Sequence, residues 1–331
     1  MKIALDIMGG DFAPKELLLG AEKFSQAESA DLVLVGDGKA IKEFLPVLPP
    51  NCEVYETPEF IEMGESPTQA LRKKKNSSVA VAARLVKEGK AGGFVSAGST
   101  GAQMAASLLE IGRIPGIERP AAAVVFPTMT GKGVVILDVG ANVDCKAHHL
   151  AHFALMGSAY DSCIFSVEKP RIGLLNVGSE AGKGNELAKA VFPLLEKSNL
   201  NFIGNVEGDH LFEGVADVVV CDGFVGNVLL KASEGASEAF RKALVDSLKA
   251  TGVSPEIMKA ILSGLKRYQV DSPEYSGAPL LGIAGVSIVC HGKSKAPVIT
   301  NALHLAVQYA SGNVIDQIFT NLAGYQSSTI S

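Results

Sequence analysis

Val134-Val135-Ile136-Leu137 runs directly into Asp138-Val139-Gly140-Ala141-Asn142. Four apolar residues without a polar break are what a strand buried on both faces looks like, and the tip that follows is polar and built around a glycine. Six further segments repeat the pattern. Ile3-Ala4-Leu5 leads into Asp6-Ile7-Met8-Gly9-Gly10-Asp11, and the run 32–35 into Gly36-Asp37-Gly38. Gly93-Phe94-Val95 leads into Ser96-Ala97-Gly98-Ser99-Thr100-Gly101, and the run 172–175 into Asn176-Val177-Gly178-Ser179-Glu180. Val218-Val219-Val220 meets Cys221-Asp222-Gly223-Phe224, and Ser287-Ile288-Val289 meets Cys290-His291-Gly292. Helical stretches lie between most of these runs. That alternation predicts an α/β fold, a mostly parallel sheet covered by helices on both faces. In such sheets ligands bind outside the carboxyl ends of the strands, so the tips are the expected wall of a site.

The chain has 331 residues, 47% of them hydrophobic, enough for one large or two medium domains. Its 30 Lys+Arg against 35 Asp+Glu give no global electrostatic case for nucleic acid. The five cysteines, at 52, 145, 163, 221 and 290, form no C-x-x-C pair, so neither a zinc site nor a disulfide framework is indicated. Reduced thiols in a cytosolic protein are the plain expectation. The start Met1-Lys2-Ile3-Ala4-Leu5-Asp6 reaches an acid too soon for a signal peptide. No stretch approaches the ~20 apolar residues of a membrane span.

Helices are expected at 14–24, 77–87, 102–110, 146–160 and 185–196. No Pro/Gly/Ser linker divides the chain, which favours a single α/β/α domain over 1–331. The segment 227–269 differs. It reads as a long helix over 228–249, a break at Thr251-Gly252-Val253, and a second helix opened by Ser254-Pro255-Glu256. Ile257, Met258, Ile261, Leu262 and Leu265 fall on one stripe of that second helix, flanked by Lys259, Lys266 and Arg267. The segment is expected to be a helical hairpin inserted between the last sheet strands.

Gly98-Ser99-Thr100-Gly101 before a helix is either an anion cradle, with free N–H groups pointing at the ligand, or an ordinary strand-to-helix turn. It is not a phosphate loop of the Walker type, which needs Lys-Ser/Thr after its last glycine. It also approximates a nucleophile elbow, with Ala97 in place of the first glycine and His291 far downstream. Lys183, between Gly182 and Gly184, can set a point charge on a phosphate or be a solvated loop lysine. Asn227 can donate to an anion or cap the helix it lies on. His148 and His152 are one turn apart, but the acid that accompanies zinc-binding helices is missing, and no metal site is expected. Asp6 and Asp11 flank a glycine turn and are candidates for chemistry, though turn-making is enough to explain Asp11. A dinucleotide site is poorly supported, since Gly36-Asp37-Gly38 lacks the third glycine of its fingerprint.

Read in order, the tips resemble one family, the bacterial PlsX-type phosphate acyltransferases, or acyl-ACP:phosphate transacylases. The likeness rests on Met8-Gly9-Gly10-Asp11, Ala70-Leu71-Arg72, Ser96-Ala97-Gly98-Ser99-Thr100-Gly101-Ala102, Arg119-Pro120-Ala121 and Asp138-Val139-Gly140-Ala141-Asn142. It continues through Asn176-Val177-Gly178, Lys183-Gly184-Asn185-Glu186, Gly204-Asn205-Val206-Glu207-Gly208, the run 216–231, Gly277-Ala278-Pro279-Leu280-Leu281-Gly282 and His291-Gly292. Four residues depart from the family pattern: Ser99 stands where Asn is common, Asp209-His210 where Arg-Asp is common, and Lys293 in place of a small polar residue.

The resemblance implies a three-layer α/β/α fold similar to the isocitrate/isopropylmalate dehydrogenases, without a nicotinamide or other cofactor. It implies a homodimer that is cytoplasmic and peripherally attached to the inner face of the cell membrane. The implied reaction takes acyl-ACP and inorganic phosphate to acyl phosphate and free acyl carrier protein. Its product would feed the membrane glycerol-3-phosphate acyltransferase of phospholipid synthesis. Phosphate is then the nucleophile, held by the amides of Gly98, Ser99, Thr100 and Gly101 with Lys183. Asn227 is expected to donate to phosphate or oxyanion, and His291 to act as a second donor or as proton partner of the leaving sulfur. Asp11 and Asn142 are expected to orient these groups. The acidic carrier needs a basic landing patch, for which Arg72, Lys73, Lys74, Lys266 and Arg267 are the candidates. Ile261 and Leu265 are expected to meet lipid, though the same stripe suits a dimer interface or an acyl tunnel. Alternatives are a serine hydrolase using Ser99, an acyl-CoA-using phosphotransacetylase, and a non-catalytic carrier-binding scaffold.

Overall fold

The computed structural model describes residues 1–27, 30–269, 275 and 277–329. The chain forms two compact units, Met1–Ala122 with Ala159–Val167 and Ser276–Ser331, and Ala123–Ser158 with Glu168–Tyr275.

The first unit carries strands β1 (Lys2–Asp6), β2 (Asp31–Gly36), β3 (Cys52–Glu56) and β4 (Gly93–Ser96), and the start of β5 (Ala121–Phe126). Its helices here are α1 (Lys15–Ala27), α2 (Gly38–Phe44), α3 (Pro67–Lys73), α4 (Ser78–Lys87) and α5 (Thr100–Ala106). A π-helical turn, Ser107–Ile111, continues α5. The order across this part of the sheet is β3-β2-β1-β4, followed by the late strands. β1 pairs in parallel with β2 and β4, Leu5 lying opposite Leu34 and Val95. Ile3, Ala4 and Leu5 are all fully buried, as the unbroken apolar run requires.

The second unit takes β5 onward into β6 (Val134–Leu137), then α6 (Ala147–Phe165), which re-enters the first unit at Ala159. It continues with β7 (Arg171–Asn176), α7 (Glu186–Glu196), β8 (Asn201–Glu207), a 3-10 turn at His210–Glu213, and β9 (Val218–Val220). β5 and β6 are antiparallel. β6, β9, β7 and β8 then pair in parallel in that order. Gly157 lets α6 approach the sheet closely, for a Cβ there would lie 2.5 Å from Val218 Cγ1. Last in this unit are α8 (Gly223–Ala250) and α9 (Pro255–Leu265), then a 3-10 turn, Lys266–Tyr268.

The chain ends in the first unit with β10 (Ala278–Leu281), β11 (Val286–Val289), α10 (Ala296–Ser311) and α11 (Val314–Thr329). β11 joins β4 in parallel, and β10 is antiparallel to both β11 and β5. α1 and α10 pack on one another, where Ala296 N donates to Glu16 Oε2 at 2.9 Å and Thr300 Oγ1 to the Gly20 carbonyl at 3.1 Å. α4 and α5 form the other helix layer, α4 lying along β1, β2 and β4. The mostly parallel, helix-covered sheet is the expected fold class.

All seven anticipated runs are strands: β1, β2, β4, β6, β7, β9 and β11. Some helix bounds differ. The helices expected at 14–24 and 146–160 run on to Ala27 and Phe165, the helix expected at 102–110 starts at Thr100 and passes into the π turn, and the long helix expected at 228–249 starts five residues earlier, at Gly223. Along α8 only Gly223 and Gly226 are buried, and along α9 no residue is.

Candidate functional site

Parallel strands place their carboxyl ends along one edge. In the first unit β1, β4 and β11 are consecutive, so the tips 6–11, 96–101 and 290–292 gather there. Asp6 lies at their centre, fully enclosed. Its carboxylate accepts from Ser96 Oγ at 2.7 Å, from the Met8 amide at 3.1 Å, and from Ser78 and the Gly9 amide. Burial raises its pKa, and these donors oppose the rise. Ser96 Oγ in turn accepts from the Gly98 amide at 3.1 Å. Two glycine turns meet here, since a Cβ on Gly9 would lie 2.7 Å from Gly98 N. Gly10, at φ +106, turns the chain so that the Asp11 amide donates to the Gly292 carbonyl at 2.8 Å.

These bonds correct the expected phosphate cradle. Gly98 is buried and its N–H is taken by Ser96, so it is not an anion donor. The Ala102 amide goes to Ser99 Oγ at 3.4 Å, and that of Gln103 to the Ser99 carbonyl. Ser99, Thr100 and Gly101 remain, half-buried to exposed, with the first-turn N–H groups that a helix cannot satisfy itself. Ser99 is therefore the N-cap of α5.

Asp11 and His291 are both exposed. His291 Nδ1 accepts from the Lys293 amide at 3.1 Å, leaving Nε2 as the ring nitrogen able to donate or exchange a proton. Ser99 and His291 make no hydrogen bond to one another among the described residues, so no hydrolase dyad is formed. Neighbouring Cys290 is equally unsuited to attack, because burial pushes its thiol up to about 12.

The second unit repeats the plan with different chemistry. β6, β9 and β7 are consecutive, placing the tips 138–142, 221–227 and 176–185 on one edge. Asp138 is fully buried and turns its carboxylate back on its own tip. It accepts from the amides of Gly140 (3.2 Å), Ala141 (3.0 Å) and Asn142 (2.6 Å) and from Asn142 Nδ2 (2.9 Å). That turn is a brace, and Asn142 lies within it, its carbonyl accepting from the Gly223 amide at 2.8 Å. Gly226 is fixed by close approach, as a Cβ there would lie 1.9 Å from the Asp138 carbonyl oxygen.

Asp222 caps α8, its Oδ1 accepting from Val225 N at 2.9 Å. The capping role considered for Asn227 is thus filled, and Asn227 lies exposed beside Gly140. Lys183 is exposed in the β7–α7 loop. Its Nζ is 3.9 Å from Glu180 Oε1, and its carbonyl accepts from Asn176 Nδ2 at 3.1 Å. Gly184, at φ +95, packs so tightly that a Cβ would fall 2.4 Å from Asn176 Oδ1.

Of the basic candidates, Lys74 is committed locally, donating to the Phe60 carbonyl and to Glu65. Arg72 and Lys73 are exposed at the end of α3. Lys266 and Arg267 are exposed beyond α9, Arg267 lying over the Tyr268 ring at 4.8 Å. Ile261 is exposed and Leu265 half-buried. His149, not His148 or His152, is buried, and its Nδ1 accepts from the Lys146 amide at 3.1 Å at the start of α6. Asp6, Ser96 and Asp138 are the residues whose organising roles sequence reasoning missed. The available signal was position: each ends or follows an apolar run, where a buried polar side chain has only turn amides to serve.

Residues 1–317 match the family model described as "Fatty acid synthesis protein". A protein of Desulfitobacterium hafniense (strain Y51) named phosphate acyltransferase is 50% identical over 323 residues, 96% of each chain. Among solved structures, a phosphotransacetylase from Streptococcus pyogenes superposes with a TM-score of 0.63 at 16% identity, covering 94% of each chain. A Salmonella typhimurium protein described as a 4-hydroxythreonine-4-phosphate dehydrogenase gives 0.54 at 16% identity, covering 93% of this chain and 98% of that one. At such identities the structural likeness shows the fold alone.

Proposed function

Because the chain belongs to the fatty acid synthesis protein family, we propose that it is a phosphate acyltransferase, converting acyl-ACP and inorganic phosphate to acyl phosphate and free acyl carrier protein. The observation that carries this reading is half-identity, over nearly the whole of both chains, to a relative named for that activity. A phosphate oxygen attacks the thioester carbonyl carbon, the carbon–sulfur bond breaks, and the thiolate leaves. An ordinary thiol ionises near about 8.5, so the thiolate is a tolerable leaving group, protonated afterwards. No enzyme nucleophile is required, and the work is positioning and charge stabilisation.

The first unit contributes the amides of Ser99, Thr100 and Gly101, which bind phosphate at the head of α5. It also contributes His291, whose Nε2 donates to the leaving sulfur. Asp6 and Asp11 keep these tips in place. Lys183 supplies a positive charge to phosphate and Asn227 an amide donor to phosphate or oxyanion, with Asn142 and Asp138 bracing the turn beside Asn227. Arg72, Lys73, Lys266 and Arg267 are the basic residues offered to the acidic carrier. The apolar stripe of α9 meets the inner face of the membrane, where the product passes to a glycerol-3-phosphate acyltransferase, and the chain works as a homodimer. No helix among the described residues is long and apolar enough to cross a membrane.

The deciding experiment mixes purified protein with palmitoyl-ACP, with and without inorganic phosphate, and counts hydroxylamine-trapped acyl phosphate. Product requiring both substrates is expected. Carrier release without phosphate means hydrolysis, preference for palmitoyl-CoA means a phosphotransacetylase, and binding without discharge means a scaffold.

A further inference from the structure

One groove in the first unit has no part in the roles above. Its volume is about 620 Å³, and it is lined by Met104, Leu108, Arg113, Glu118, Arg119 and Pro120. That size lies within the range of small-molecule sites, roughly 300–1,000 Å³. One wall is α5 with the π turn that extends it. At 1.5 Å per residue, Met104 lies about 6 Å and Leu108 about 12 Å along the axis from Thr100. The groove therefore leads away from the Ser99–Gly101 amides along their own helix. Leu108 belongs to the π turn, a local widening that recurs at functional sites.

The opposite wall is the segment before β5. Arg113 is pinned there, its backbone bridging Ile283 and its guanidinium donating to the Glu118 carbonyl. Arg119 is exposed and makes no side-chain bond or ion pair among the described residues. The lining residues carry two guanidinium groups and one carboxylate, an excess of one positive charge.

We infer that this groove seats the phosphopantetheine arm of the acyl carrier, Arg119 and Arg113 meeting its phosphodiester while Met104, Leu108 and Pro120 cover its carbon chain. The inference rests on the reading of the chain as a phosphate acyltransferase. Half of the lining side chains are charged, which suits an amide-rich arm ending in a phosphodiester and penalises an alkyl chain. The arm is about as long as four to five extended residues, on the order of 15 Å. Laid along α5 from the two arginines, it delivers its sulfur toward the amides that hold phosphate. Guanidinium is the side chain best matched to a phosphate oxygen pair.

The test compares two carrier-free substrates, palmitoyl-phosphopantetheine and palmitoyl-pantetheine, in the wild type and in Arg119→Gln. Arg119 is exposed and makes no internal bond, so the variant keeps its fold, which a melting curve verifies. In the wild type, kcat/KM is expected to favour the phosphorylated substrate by about tenfold, the value of one charged hydrogen-bonded contact. Arg119→Gln should erase that preference and leave KM for inorganic phosphate unchanged. A preference that survives, or a loss falling equally on both substrates, overturns the inference. So does a raised KM for inorganic phosphate, which would give the arginine to the nucleophile, or a loss that scales with acyl length, which would give the groove to the acyl chain. A calorimetric titration with holo- and apo-carrier needs no turnover. Holo should bind more tightly than apo, and Arg119→Gln should remove the difference. This arm stands even if no acyl phosphate forms, so failure of the groove and failure of the proposed reaction are told apart.

Discussion

Gly98 cannot offer its amide to a ligand, because Ser96 Oγ holds it and Asp6 holds Ser96. The position of the three amides that remain is then set by how closely residue 9 approaches that turn. A Cβ at Gly9 would meet Gly98 N at 2.7 Å and Gly98 Cα at 2.9 Å, and both are backbone atoms that must shift. Gly9→Ala should therefore raise KM for inorganic phosphate by about tenfold, or about 1.4 kcal/mol, with KM for acyl-ACP little changed. A phosphate titration of the discharge assay reads this, and an unchanged KM in a folded variant removes the loop from phosphate binding. Lys183→Ala should lower kcat by on the order of a hundredfold or more, the scale of a lost electrostatic stabiliser. Its melting temperature should not move, since the exposed 3.9 Å approach to Glu180 contributes little to stability. A variant within a few-fold of wild type in rate excludes the lysine. Ser99→Ala should behave in the opposite way, keeping much of its activity because binding uses the backbone. Loss of the cap should cost about 1 kcal/mol of stability. Complete inactivation with a trappable acyl-enzyme would restore a covalent route.

Among the elements, α8 and α9 are the least accounted for by their own chain. No residue of α9 is fully buried, and its stripe includes Ile257 and Ile261, both exposed. A helix with one apolar face and flanking Lys and Arg is suited to a lipid surface. Replacing Ile261 and Leu265 by Glu should abolish flotation with anionic liposomes and leave carrier discharge in solution intact. Flotation that persists in the folded variant assigns the stripe elsewhere. The two helices were legible in the sequence because Thr251-Gly252 and Ser254-Pro255 are strong punctuation. So were the seven strands whose apolar runs are unbroken. β3 was not, because residues 53–56 are exposed and carry no continuous run, as befits the edge of a sheet. β8 lies at the other edge with an alternating pattern, and β10 contains Pro279. The two units were hidden for a different reason. The chain passes between them inside β5 and inside α6, so no linker marks the crossing. In the candidate site, tip positions were readable from the glycines. Which amides were already spoken for depended on Asp6 and Ser96, residues 90 positions apart that only strand pairing brings together.

For the molecule as a whole, the carboxylates that hold the fold need not be those that shape the site, and Asp217 is one that stands apart. It precedes β9, Arg171 begins β7, and Lys132 precedes β6, so the cluster ties three neighbouring strands at their amino ends, opposite the tips. Arg171 gives Asp217 its amide at 2.7 Å, Nε at 3.1 Å and Nη2 at 3.0 Å, and Lys132 adds Nζ at 2.6 Å. Burial alone would raise this carboxyl, but the guanidinium and ammonium outweigh it and hold the pKa at about 2. A carboxyl depressed by folding stabilises the native state above its unfolded pKa, near about 3.9, and loses that contribution as pH falls through about 2. The depression corresponds to on the order of 2 kcal/mol. Urea unfolding of the wild type and of Asp217→Asn, followed from pH 6 to pH 2, should show a stability gap that is constant above about pH 5. The gap should then narrow by that amount on acidification, because the protonated wild-type carboxyl comes to resemble the amide. A gap independent of pH would mean that Asp217 is not held as an anion by its two cations. Activity of Asp217→Asn at neutral pH, measured below its unfolding transition, should match the wild type, since the strand ends it ties lie opposite the tips of the same unit that carry Lys183 and Asn227.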